Sequence, residues 1–121
     1  MKGVLQPTQD SCTAACIASI FEIPIKDVPI LPDDDTWIDA LNVWLDQFGL
    51  YSFAITFAIK EHRDVLRGYS LGGIKSKNSA GKNHCVVCHN GKIVWDPLHG
   101  GRDGAEYPDT WEIFIVKNPA Q

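Results

Sequence analysis

The chain has 121 residues, 45% of them hydrophobic, and a net charge of −4 at pH 7. That length suits a single domain, 1–121, able to bury one core without staples, and the apolar fraction excludes a disordered segment. The negative balance gives no reason to expect nucleic acid or an acidic membrane as a partner.

No stretch is long or apolar enough to span a bilayer, and the best run, YSFAITFAI at 51–59, is strand-sized. The residues before Cys12 lack the apolar stretch of a signal peptide. The protein is therefore expected in the cytoplasm, mature from Met1, without a membrane. Thiols stay reduced there, so disulfides are not expected.

In chain order, the first predicted element is a helix opening at Cys12, with Asp10 or Ser11 as N-cap and Pro24 marking its end. EIPIKDVPILP is a proline-punctuated connection. DDDTWIDALNVWLDQFGL (33–50) reads as a second helix, with three acidic residues where the helix dipole favours them. Trp37, Ala40, Leu41, Trp44, Leu45 and Phe48 share one face, and Gly49 is a natural C-cap. YSFAITFAI is strand-like, and KEHRDVLRG (60–68) is expected as a short helix. YSLGGIKSKNSAGKN (69–83) is rich in Gly, Ser, Asn and Lys and reads as a loop. Lys75, Lys77 and Lys82 within it suit a solvated surface. The stretch from Ser70 to Asn83 runs directly into His84, a place where lids and cleft walls occur, as do plain surface connections. HCVVCHNGKIVWDP (84–97) is two β-rich runs around Asn90-Gly91, a hairpin signal. A glycine-rich turn region follows, and WEIFIV (111–116) closes as a strand. Helices first and an antiparallel sheet after make the fold class α+β.

The four cysteines carry the functional question. Cys12, Cys16, Cys85 and Cys88 could offer four thiolates to zinc. The context opposes this: the first pair lies in an apolar helical pattern, and the second brackets Val86-Val87 in an extended run that turns its thiols to opposite faces. No metal is expected. Cys16, Cys85 and Cys88 read as small core hydrophobes. Cys12 differs, because free N–H groups and the dipole of a helix N-terminus stabilise a thiolate. Asp10 opposes that charge, so a nucleophile at Cys12 needs a cationic partner, most simply histidine. His84 opens a strand and Asp96 follows on the next run, the arrangement of a base and the carboxylate that orients it. Taken singly, a histidine is commonly a surface residue, and an Asp before Pro commonly starts a turn.

QPTQDSCTAAC followed by HCVVCHNGKIVWDP resembles the papain-like cysteine peptidases, most closely the small bacterial and phage domains similar to bacteriocin-leader (double-glycine) peptidases. Their pattern is a Gln six residues before a helix-opening Cys, then a His at a strand start, then Asp-Pro after the next strand. Gln6, Cys12, His84 and Asp96 match it, and the resemblance spans residue 4 to about 116. It implies a papain-like fold, N-terminal helices on a small antiparallel sheet. It implies Cys12 as nucleophile, His84 as base and then acid, and Asp96 orienting His84. The Gln6 amide and the Cys12 N–H would form the oxyanion hole. It implies no cofactor, and a peptide or protein substrate cut at a peptide or isopeptide bond through an acyl-enzyme. The chain departs from the pattern at Thr13, where leader peptidases usually have Gly. Gln9 is a second amide near Cys12, and His62, His89 and His99 are rival histidines outside the motifs. An amidase or acyltransferase with the same triad, and an inactive binding module of the same fold, stay open.

Strand parity adds a geometric expectation. A regular two-residue turn at Asn90-Gly91 pairs His89 with Lys92 and leaves His84 and Asp96 on opposite faces. A three-residue loop, His89-Asn90-Gly91 with a bulge at Gly91, or an equivalent bulge elsewhere in the hairpin, puts them on one face. The three-residue loop or such a bulge elsewhere is expected, the loop placing Cys85, Val87, Ile93 and Trp95 on a common apolar surface.

Overall fold

The structure is a computed structural model and describes residues 1–8, 10–32, 34, 36–57, 60–75, 83–101 and 107–117. Among these, two α-helices, α1 (Cys12–Phe21) and α2 (Trp37–Leu45), precede an antiparallel sheet. Its strands are β1 (Leu50–Ile55), β2 (Tyr69–Lys75), β3 (Asn83–His89), β4 (Lys92–Trp95) and β5 (Thr110–Val116), in the spatial order β1-β5-β2-β3-β4. The α+β class is as the sequence implies. Among the described residues no helix is long and apolar enough to cross a membrane.

Helix α1 begins at Cys12 with Ser11 at its N-cap, but the Ser11 side chain makes no capping bond. Its hydroxyl donates instead to the Thr8 carbonyl at 2.9 Å, and accepts from Thr8 N–H at 3.0 Å. The helix stops at Phe21, short of Pro24. Glu22 enters the left-handed region (φ 54), and Ile23 N–H returns to the Ala18 carbonyl at 3.2 Å. Helix α2 is shorter than 33–50. Asp34 stands outside it, accepting from Thr36 N–H at 2.8 Å, while Asp33 and Asp35 lie outside the described residues. A 3-10 turn, Asp46–Phe48, continues it to Gly49, which takes the left-handed conformation (φ 69). The run 51–59 yields a strand only to Ile55, with 58–59 outside the described residues, and Lys60–Val65 forms a 3-10 segment.

The largest departure from the sequence reading is β2. Residues 69–75 form not a loop but the strand between β5 and β3. Its two glycines are there for room. A Cβ at Gly72 would lie 2.7 Å from the Cys88 sulfur and 3.0 Å from Pro108, and one at Gly73 would lie 2.6 Å from the Thr110 hydroxyl. The rest of the expected loop, with Lys77 and Lys82, lies outside the described residues.

Helix α1 covers β3 and β2, and α2 covers β1. The helix side of the sheet closes on Cys16, Ile17, Leu41, Leu45, Leu71 and Val87. A second cluster holds Ile74, Val86, Cys88, Ile93 and Trp111. The hairpin takes the second of the two expected forms, a regular turn with a bulge elsewhere. Asn90 (φ 52) and Gly91 (φ 84) make a two-residue turn with both residues left-handed, and His89 pairs with Lys92. The irregularity comes one step later. Cys88 pairs with Ile93 and Val87 with Trp95, so Val94 is an extra residue on β4. The bulge sends Ile93 and Trp95 to different clusters: Trp95 joins Val87 and Cys85, and Ile93 does not.

Candidate active site

The bulge at Val94 sets the site. Past it, Trp95 opposes Val87, so alternation gives the next residue, Asp96, the parity of Val86 and His84. The two side chains meet: His84 Nε2 lies 2.7 Å from Asp96 Oδ1. His84 is 5% exposed and Asp96 fully buried, whereas His62, His89 and His99 are exposed. The same Asp96 oxygen accepts from Leu98 N–H at 2.8 Å. Asp96 therefore starts a turn, as an Asp before Pro does, and also holds the histidine. Its other oxygen, Oδ2, is buried with no hydrogen-bond partner among the described residues.

Cys12 reaches His84 from the first turn of α1. With Nε2 given to Asp96, Nδ1 is the ring nitrogen left for the thiol. Burial alone would push the Cys12 thiol up. The hydrogen bond with His84, a bond from the Cys85 backbone, the imidazolium charge and the Thr13 hydroxyl outweigh it and hold its pKa below the ordinary value. His84 moves the other way, to about 9. The bond to Cys12 contributes most, burial opposes, and the bond and charge of Asp96 add to the rise. Both shifts favour the charged forms, thiolate at Cys12 and imidazolium at His84, with the Asp96 carboxylate behind the ring.

Two of these contacts were not legible in the sequence. Thr13, the departure from glycine, hydrogen-bonds the Cys12 sulfur with its side chain, and Cys85 contributes through its backbone. Neither has a sequence signal, since the first needs a rotamer and the second a strand position.

Gln6 is half-buried before the helix. Its Nε2 donates to the Thr8 carbonyl at 2.9 Å, the same oxygen that accepts from Ser11 N–H at 3.3 Å and from the Ser11 hydroxyl. One turn thus ties the amide to the residue preceding Cys12. Gln9, the rival amide, lies outside the described residues.

The remaining cysteines are placed differently. Cys16 is fully buried, its thiol donating to the Cys85 carbonyl at 3.4 Å. Burial pushes its pKa well up, as does the neighbouring Cys85 thiol. Cys88 is buried in the other cluster, and desolvation raises it too. Cys85 is half-buried. All four are free thiols. Among the described residues no group of three or more His, Cys, Asp or Glu side chains is arranged to hold a metal ion.

Comparison with protein-family models and with curated proteins finds no match to this chain.

Proposed function

We propose that the protein is a thiol hydrolase of papain-like fold that cleaves an amide bond, peptide or isopeptide, through an acyl-enzyme on Cys12. The observation that carries this reading is the line Cys12, His84, Asp96, with a 2.7 Å bond between a nearly buried histidine and a fully buried carboxylate. A structural His–Asp pair needs no thiol at its other nitrogen, and a thiol used as core filler gains nothing from a helix N-terminus.

The chemistry follows from the placement. The Cys12 thiolate attacks the substrate carbonyl carbon, and the carbonyl π pair moves to oxygen. That oxyanion is met by the Cys12 backbone N–H and a hydrogen of Gln6 Nε2. Collapse breaks the C–N bond, and His84 gives its Nδ1 proton to the departing amine. A water then gives a proton to His84 while its oxygen attacks the thioester carbon; collapse breaks the C–S bond, releases the acid and restores the Cys12 thiolate beside the His84 imidazolium. Asp96 keeps Nε2 protonated, so Nδ1 is the atom that cycles. Thr13 and the Cys85 backbone stabilise the thiolate in the resting state.

Two reagents test this without a known substrate. Iodoacetamide at pH 7, followed by peptide mapping, is expected to label Cys12 before the other three cysteines. p-Nitrophenyl acetate is expected to acylate Cys12 with a burst of nitrophenol, and Gln6→Ala to slow that burst by roughly ten- to a thousand-fold, the range for one oxyanion donor. First labelling at Cys85 or Cys16, or a burst that survives Cys12→Ala, overturns the reading.

A further inference from the structure

Gln6 sits on a segment without regular secondary structure, so its backbone must be located by something other than a ladder. Two sets of contacts do this. On one side, Lys2 N–H donates to the Ser19 carbonyl at 3.0 Å and Val4 N–H to the Ser19 hydroxyl at 2.9 Å. Ser19 is fully buried on α1 and passes its own hydroxyl proton to Ala15 O at 2.7 Å. On the other side, the Trp95 indole N–H donates to the Val4 carbonyl at 3.0 Å, and Gln6 N–H donates to the Pro97 carbonyl at 2.7 Å. Trp95 and Pro97 flank Asp96. The segment therefore lies between the helix that opens with the nucleophile and the turn that carries the triad carboxylate.

The indole contact is close. A Cβ at Gly3 would lie 2.7 Å from the carbons of the six-membered ring, well inside van der Waals contact, so the backbone approaches the ring face only because residue 3 has no side chain. Gly100 lies against the same ring, but a Cβ there would be at an ordinary contact distance of 3.4 Å, so Gly3 is the glycine that makes room for the indole.

We propose that Trp95 is a positioning residue for the Gln6 amide: its N–H and ring face fasten the 2–6 segment to the Asp96 turn, so that the oxyanion donor and the triad carboxylate are held as one unit. The inference rests on the reading of Gln6 as an oxyanion donor. Oxyanion stabilisation depends on donors being fixed before charge develops, and a small misplacement removes much of their worth. Trp95 touches no reacting atom. It acts through Val4, two residues from Gln6, and Trp95→Phe removes the N–H while keeping an aromatic ring and leaves the Val4 carbonyl without its donor.

The test sets one reaction that builds an oxyanion against one that does not. Acylation of Cys12 by p-nitrophenyl acetate passes through a tetrahedral oxyanion. Alkylation by iodoacetamide displaces iodide at a saturated carbon and reports only thiolate fraction and access. Trp95→Phe is expected to slow acylation by roughly five- to fifty-fold, part of what one whole donor supplies, with alkylation and its pH profile unchanged. Gln6→Ala with Trp95→Phe is expected to be no slower than Gln6→Ala alone, because both remove the same donor. Gly3→Ala, which pushes a methyl into the indole, is a second route to the same selective loss should Trp95→Phe not fold. The inference is overturned if Trp95→Phe and Gly3→Ala acylate like the unaltered protein, if their losses multiply with that of Gln6→Ala, or if acylation and alkylation fall together. If Gln6→Ala itself acylates normally, the oxyanion reading fails and takes the inference with it. A normal Trp95→Phe beside an impaired Gln6→Ala removes the inference alone.

Discussion

Six residues of strand β3 read the same from either end, His84-Cys85-Val86-Val87-Cys88-His89, yet the two ends differ in burial and in partners. At the first end the histidine is nearly buried, with a carboxylate on one nitrogen and a thiol for the other. At the second end His89 is exposed, its ring 4.6 Å from that of Tyr69 between centroids. The cysteines part in the same way: Cys85 lends its backbone to the Cys12 sulfur, while Cys88 is packed away with its thiol pushed up by burial. Residue type is constant across the comparison, so neighbours make the difference. The decisive neighbour arrives by a one-residue irregularity. The hairpin pairs regularly at His89 and Cys88, then shifts at Val94, and the shift gives Asp96 the parity of His84.

The two histidines should respond very differently to removal. His84→Ala is expected to slow acylation of Cys12 by roughly a hundred- to ten-thousand-fold, the usual worth of a positioned acid-base group, and to slow its alkylation as well, since the thiolate loses its counter-ion. His89→Ala is expected to leave both within about two-fold, as for a surface substitution remote from the site. Comparable losses from the two variants, read by nitrophenol burst, would show that the ends of β3 are not chemically distinct.

Asp96→Asn tests what the carboxylate contributes, with a smaller effect. The amide oxygen can still accept from Leu98 N–H and from His84, so the geometry is kept while the charge is lost. His84, raised to about 9 by Cys12 first and Asp96 after, is expected to fall toward its ordinary range. The alkaline limb of the acylation profile should then move down from about 9, and acylation at pH 8 drop by up to roughly thirty-fold. The sign for stability follows. A histidine whose folded pKa lies above its unfolded value of 6.5 stabilises the fold fully below about 6.5, and that contribution is lost as pH rises through about 9. Thermal melts between pH 6 and 10 should fall less steeply across that window in Asp96→Asn. An alkaline limb that stays at about 9 would assign the raised histidine to Cys12 alone.

Much of this was legible in the chain itself. The helix opening at Cys12, the apolar face of α2, the hairpin at Asn90-Gly91 and the closing strand each have a local signal, in a cap position, a 3.6-residue period, a turn dipeptide or an alternation. What was not legible depends on contacts distant in sequence. Gly72 and Gly73 look like loop residues until Cys88, Pro108 and Thr110 are seen to occupy the space their side chains would need. The bulge is an instructive middle case. Parity requires one for His84 to meet Asp96, yet nothing in Lys92–Trp95 marks Val94 as its place, and the turn that looked suited to it is regular. The set Gln6, Cys12, His84 and Asp96 stands out in the chain only through the family resemblance, whereas Thr13's bond to the Cys12 thiol has no signal there at all.

The smallest expected effect lies away from the chemistry, near the quiet end of β3. Glu112 on β5 is 9% exposed, and burial raises its carboxyl to about 7 from 4.5. Cys88 senses its charge as one cause of its own raised thiol. The sign here is opposite to that of a paired carboxylate. Below about 4.5 the group is neutral in both folded and unfolded chains and costs nothing extra. Between 4.5 and about 7 the unfolded chain ionises while the folded one does not, so stability falls, and above about 7 the full penalty is present. A shift of that size corresponds to a penalty of at most about 3 kcal/mol at pH 8, less in practice because some solvent reaches the group. Glu112→Gln removes the ionisation and keeps the shape, while leaving a polar amide in the same site. The variant is expected to melt a few degrees higher than the parent at pH 8, with the gain vanishing by pH 4, and to acylate and alkylate at Cys12 unchanged. An equal melting shift at pH 4 and pH 8 would show that packing of the amide, not the buried charge, is what the substitution alters.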